Sequence, residues 1–213
     1  MRKFWSAVLS AAALALLAGC QAGTPAQPGT PRAGLAETEE PTTVRDTGRQ
    51  AFQKLFMAAR MWARDEQPFR LQSEPWKDSA ADGKAVIWRG DFASASRRTI
   101  KSFVWSGSHA QNAPPYGVSS SAEDTYNPSN VSTRVFDASF LKIDSDQAFA
   151  VAQKHGGGKL LKANAKQPVF YMLDWNTQEN GLVWHVIYGT SQAQAKLRVL
   201  VNATTGAFER VEK

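Results

Sequence analysis

Three histidines, His109, His155 and His185, and a single cysteine, Cys20, are the side chains of this 213-residue sequence best suited to hold a metal or attack a substrate. Imidazole suits copper or zinc, so three of them make a copper site chemically possible, and a copper-dependent redox enzyme such as a superoxide dismutase is the enzymatic reading. The spacing argues against it, because no pair shows the HxH or HxxxH interval that places two rings on one ion. His109 falls in a long polar stretch, His155 at the end of a helical pattern where it can stabilise a C-terminus, and His185 beside Trp184 in a strand pattern. No GxSxG, HExxH, CxxC or GxGxxG occurs. "HGGGKLLK", from His155, lacks the outer glycine and the Ser or Thr of a phosphate loop and reads as a helix stop followed by solvated lysines. Serines abound between 94 and 132, yet no histidine and acid pattern marks one as a nucleophile. No catalytic residue is assigned on these grounds, and the expected state is one without a cofactor.

The arginines offer binding instead. Arg45, Arg49, Arg60 and Arg64 lie within about 100° of one another on a helix that turns 100° per residue. Such a stripe is either a solvated face or a docking surface for acidic lipid or a partner, with Arg49, Arg60 and Arg64 as the binding candidates.

Cys20 has a more specific setting. Arg2 and Lys3 precede an apolar run from Phe4 to Ala18 broken only by Ser6 and Ser10, a leader too short to span a bilayer as a stable helix. The junction Leu17-Ala18-Gly19-Cys20 resembles the lipobox of bacterial lipoproteins. The resemblance implies that the Cys20 thiol carries diacylglycerol, that cleavage follows Gly19, and that the new amino group is acylated, for example with palmitate. Two or three acyl chains anchor a protein stably where one does not. Gln21 stands where inner-membrane lipoproteins carry Asp, which by analogy implies the outer membrane, facing the periplasm or the cell surface. With no second cysteine, no disulfide forms within the chain, and the fold must hold by packing.

Loss of residues 1–19 removes Arg2 and Lys3, so the formal net charge falls from +6 to +4. Residues 42–107 hold twelve Lys or Arg against seven acids, a basic surface suited to anionic headgroups or wall polymers. An envelope address argues against nucleic acid as a partner. Residues 20–41 follow as a lipidated tether: "QAGTPAQPGTPRAGLAETEEP" has four prolines, three glycines and little that can build a core. A flexible chain of ~21 residues reaches about 25 Å.

The elements that must position any site follow from Thr42. Phe52, Leu55, Phe56, Ala59, Trp62 and Ala63 share one helical face, with Pro68 as the expected stop. "FRLQ", "GKAVIWRGDF" and "RRTIKSFVWSG" read as strands. "SGSHAQNAPPYGVSSSAEDTYNPSN" reads as a loop leading to "VSTRVF". A second helix, "DSDQAFAVAQKHGGG", is capped by Asp144 or Ser145 and stopped by Gly156 to Gly158. Then "PVFYMLDW", "GLVWHVIYGT" and "KLRVLVNATTGAFERV" read as strands, the last a hairpin turning at Thr204-Thr205-Gly206. Gln50-Ala51-Phe52 recurs as Gln147-Ala148-Phe149, and Ile100 to Val104 aligns at the same offset with Leu197 to Val201, which suggests internal duplication. Most of the six tryptophans outside the leader should be core.

The C-terminal unit resembles the PepSY family over roughly residues 140–213. The carriers are the capped helix "DSDQAFAVAQKHGG", the strand with Trp184-His185-Val186, and the hairpin "RVLVNATTGAFERV", where Ala203, Thr205 and Gly206 match and Asn202 replaces the usual Asp. The resemblance implies a non-catalytic module that binds or inhibits secreted peptidases or joins an envelope complex. The expectation is therefore an α+β fold, PepSY- or cystatin-like, of two repeated helix-plus-antiparallel-meander units at 42–135 and 136–213, after the signal peptide at 1–19 and the tether. Its expected role is a lipid-anchored, non-enzymatic binding, inhibitory or scaffolding protein.

Overall fold

The computed structural model describes residues 43–76 and 79–212. The first helix, α1 (Gly48–Trp62), starts at Thr47, whose hydroxyl accepts from the Gln50 amide while the Gln50 side chain accepts from the Thr47 amide. This capping box satisfies two of the amides left open at a helix start. Ala51, Phe52, Leu55 and Ala59 are its buried face, at the spacing seen in the sequence. The helix ends at Trp62, before Pro68, which lies in strand β2 (Glu66–Ser73). There the ladder shifts register between Pro68 and Arg70, an irregularity that accommodates a residue with no amide to donate.

The remaining strands are β4 (Ile87–Ser94), β5 (Thr99–Ser106), β6 (Gly117–Thr125), β7 (Val169–Asn176), β8 (Gly181–Gly189), β9 (Ala195–Asn202) and β10 (Phe208–Glu212); the two-residue strands β1 (Asp46–Thr47) and β3 (Lys84–Ala85) pair separately. The large sheet runs β10-β9-β8-β7-β2-β4-β5-β6, antiparallel at every pairing.

This topology overturns the expectation of two repeated helix-plus-meander units. Strand β2 pairs with β7, Leu71 opposite Leu173, so the strands form one continuous eight-stranded sheet. The halves also share one large buried cluster: Phe52 and Leu55 of α1, Ala148 and Ala152 of the second helix, and Trp88, Tyr171 and Trp184 of the sheet belong to it. The physical reason is that the apolar β2 and β7 would otherwise each leave an unpaired edge, which their mutual pairing removes.

Two further expectations fail locally. The serine-rich stretch is not all loop, since Gly117–Thr125 forms edge strand β6. Within "VSTRVF" a 3-10 turn occupies Val131–Thr133. The second helix, α2 (Ser145–Ala152), runs into a wide turn at Gln153–Gly157 and resumes as α3 (Gly158–Ala163). Gly156, at φ +110°, therefore kinks the helix instead of stopping it.

Where the N-termini of α1 and α2 meet, one network ties the two helix starts together. The Thr47 hydroxyl donates to Asp144 Oδ2 at 2.7 Å, and Asp144 Oδ1 accepts from the Arg49 and Ser145 amides at 2.9 and 2.7 Å. Ser145 Oγ accepts from the Gly48 amide at 2.7 Å and donates to the Gly83 carbonyl at 2.5 Å; the Gly83 amide in turn donates to the Tyr171 hydroxyl at 2.8 Å. Beneath it Trp88 and Trp184 meet edge to face at 6.3 Å, their indoles donating to the Asp46 and Ile143 carbonyls. Gln50 and Gln147, from the sequence echo, close the two capping boxes.

Candidate functional site

Alternation along the strands sends one set of side chains into the helix-covered core and the other to the opposite face. On that face, Asp174 of β7, Arg70 of β2, Asp91 of β4 and Ser102 of β5 stand opposite one another in a row across four strands. His185 of β8 joins the row diagonally, its Nε2 3.0 Å from Asp174 Oδ1, with only 6% of its side chain exposed. Its Nδ1 is buried without a partner. Ser102 Oγ donates to Asp91 Oδ1 at 2.6 Å, and Arg89 makes two bonds to Glu74 at 2.9 and 2.7 Å. Burial pushes the Asp91 carboxyl above its ordinary range, against the opposing pull of the Ser102 hydroxyl and of Arg70 and Arg89.

This row contains Ser, His and Asp without forming a triad. Ser102 and His185 sit on strands four places apart in the sheet, about 19 Å at ~4.8 Å per strand, far beyond a nucleophile–base hydrogen bond. Acid and base alternate along it, so the face is internally neutralised.

The three candidate histidines are engaged separately. His109 stacks on Tyr116 at 4.0 Å between ring centres, His155 on Phe208 of β10 at 3.7 Å, and His185 pairs with Asp174. Among the described residues no group of three or more His, Cys, Asp or Glu gathers where it could hold a metal. Cys20 lies outside the described residues.

The arginine stripe is shorter than its spacing suggests, because Arg45 precedes α1 and Arg64 follows it. Arg45 pairs with Asp82. Arg49 donates to the Lys142 carbonyl at 3.1 Å, and Arg60 stands 3.5 Å from Glu66 and over the Phe56 ring. Arg64 is exposed, beside Trp62 and Arg97. Sequence reasoning missed what lies between them: Met57 and Met61, one turn apart, are 63% and 90% exposed. Their signal was available, since both fall outside the apolar register of α1. Nearby, the Trp62 indole, the Thr99 hydroxyl and Arg97 all donate to Glu123, which holds its carboxyl down at about 2.

A concavity lies elsewhere, at the end of the central strand pair. Beyond Gln72 opposite Met172 the β2–β7 backbone ladder stops, and the Ser73 hydroxyl accepts the Tyr171 amide at 2.9 Å in its place. Between the diverging chains opens a recess of about 570 Å³, walled by Trp76, Ser79, Pro168 and Phe170, with Asn112 and Lys166 beside them. None of the histidines or arginines singled out in the sequence lines it.

Comparison with solved structures places this architecture beside a crystal structure from Clostridium difficile 630 described as "a putative lipoprotein", with a TM-score of 0.51 and 11% sequence identity over 76% of this chain and 91% of that one. At that identity the likeness is one of fold. No family model and no curated protein matches the chain.

Proposed function

We propose that the chain is a lipid-anchored bacterial envelope protein whose folded part binds instead of catalysing. The observation that carries the proposal is Leu17-Ala18-Gly19-Cys20 closing a basic-then-apolar leader, in a chain whose fold resembles that of a protein itself described as a lipoprotein. Gln21 favours the outer membrane as the destination. A binding role is supported by the described surface: the histidines are stacked or paired apart from one another, and the recess beyond the β2–β7 ladder is walled largely by apolar side chains.

The PepSY resemblance sharpens this to a modulator of a secreted peptidase or a subunit of an envelope complex. Its hairpin fits: Asn202 Oδ1 accepts from the Thr204 and Thr205 amides, the turn role that Asp fills in the family, and Gly206 takes φ +79°. Arg60, Arg64, Met57 and Met61 supply charge and apolar surface on the exposed side of α1 and beyond its end, a combination suited to resting against anionic headgroups at the end of the tether, with Arg49 at the far end of the helix. Chemical crosslinking in intact cells followed by mass spectrometry tests the binding role. An envelope protein recovered reproducibly with the wild-type chain, and lost when Cys20 is replaced, is the expected result. Recovery of lipid alone would remove the support for a complex subunit.

A further inference from the structure

We propose that Met57 and Met61 form a modification site for peroxide-type oxidants, and that their conversion to sulfoxides releases the outer face of α1 from an anionic bilayer. The effect on lipid contact rests on the headgroup reading given above; the modification itself does not. Two residues on from buried Leu55, Met57 projects about 200° around the helix, and Met61 joins it one turn later, so both stand on the face turned away from the core. At 63% and 90% exposure they are not explained by packing. Around them α1 carries Arg49, Lys54 and Arg60 and no acidic residue, with Arg64 beyond its end. The acids near that end are engaged with neighbours. The Ser96 amide and the Ser94 and Ser96 hydroxyls donate to Asp65, Glu66 faces Arg60, and Glu123 accepts from Trp62, Thr99 and Arg97.

The chain supplies its own contrast. Met172, the remaining methionine beyond the leader, is 6% exposed, packed with Phe170 and Ile187, and its sulfur lies 3.2 Å from the Gln192 amide nitrogen. Access therefore separates one protected thioether from two open ones. In the step itself the thioether sulfur attacks one peroxide oxygen; the S–O bond forms as the O–O bond breaks. The departing oxygen takes the proton of the transferred one and leaves as water, so sulfur is oxidised by two electrons and the peroxide is reduced by two. The product is a polar sulfoxide in place of a flexible apolar side chain. A helix face held at the headgroup boundary by apolar insertion plus cationic charge loses the first of these and keeps the second.

The test uses residues 20–213 with Cys20→Ala, so that no acyl chain holds the protein on lipid. After graded exposure to hydrogen peroxide, peptide mass spectrometry should show Met57 and Met61 oxidised at least about tenfold faster than Met172. Co-sedimentation with phosphatidylglycerol vesicles then compares the two states. The reduced chain should bind, and the doubly oxidised chain should bind about twenty-five-fold more weakly, about fivefold for each partly inserted methionine. Methionine sulfoxide reductases for both epimers should restore binding, and Met57→Leu with Met61→Leu should bind vesicles and ignore peroxide. Circular dichroism confirms that each sample is folded. Oxidation of Met172 as fast as the pair, or vesicle binding that oxidation leaves unchanged, would overturn the proposal. Absence of binding in both states would overturn the headgroup reading beneath it. Self-association seen by light scattering without lipid, and abolished by oxidation, would assign the face to a second copy of the chain and overturn the bilayer as its occupant.

Discussion

Replacing Asp144 by Ala should remove the clamp between the two helix starts. Its carboxylate caps α2 through the Ser145 amide, accepts the Arg49 amide from the first turn of α1, and receives the Thr47 hydroxyl, at 2.7, 2.9 and 2.7 Å. Loss of an N-cap costs about 1 kcal/mol. Each of the other two donors is left to partial rehydration, at about 1 kcal/mol apiece because the site is part exposed. The carboxylate also faces the positive ends of two helices. The total is about 3 kcal/mol, and at roughly 2–4 °C per kcal/mol for a domain of this size the melting temperature should fall by about 6–12 °C. Asp144→Asn, which keeps one acceptor and the shape, should lose about half as much. Urea unfolding followed by circular dichroism gives the values, and a double-mutant cycle with Thr47→Val isolates the cross-helix bond, expected at about 1 kcal/mol. A loss under about 0.5 kcal/mol for Asp144→Ala, or strict additivity with Thr47→Val, would refute the idea that one carboxylate serves both helices.

Two other expectations concern the sheet and its supporting loop. Because burial raises the Asp91 carboxyl above its ordinary value of 3.8, the native state binds more protons than the unfolded chain in that window, and stability contributed there falls as pH rises. Asp91→Asn, which keeps an acceptor for Ser102, should therefore compare more favourably with the wild type at pH 7 than at pH 3; equal differences at both, by denaturant titration, would contradict this. Gly83→Ala should destabilise by more than about 3 kcal/mol, since the residue has φ +87° and its added methyl would meet the Asp146 backbone. A fully cooperative transition within about 1 kcal/mol of wild type would show that the Gly83 turn tolerates a side chain.

Local order was legible in the sequence and long-range order was not. The face of α1 through Phe52, Leu55 and Ala59, the cap of the second helix, where Asp144 takes the place left open between Asp144 and Ser145, and the turn at Thr204 to Gly206 all depend on near neighbours and are present. Strand β6 escaped notice because at the sheet edge most of Ser119 to Thr125 is exposed on both faces, so no apolar alternation is required of it. Pro68 misled because a proline that ends a helix and one that marks a strand bulge look alike without the partner strand. The pairing of β2 with β7 joins residues about a hundred positions apart, and the apolar pattern of each strand is the same whether its neighbour is local or distant. The recess had no chemical signature, being assembled from prolines, alanines and single polar residues in three separate stretches.

The most direct test of the central claim is the intact mass of the mature protein purified from its native membranes, with fragmentation of the N-terminal peptide. The expected result is a chain beginning at Cys20, carrying diacylglycerol on its sulfur and an acyl group on its amine. A chain that retains residues before Cys20, or that begins elsewhere with an unmodified thiol, would contradict it.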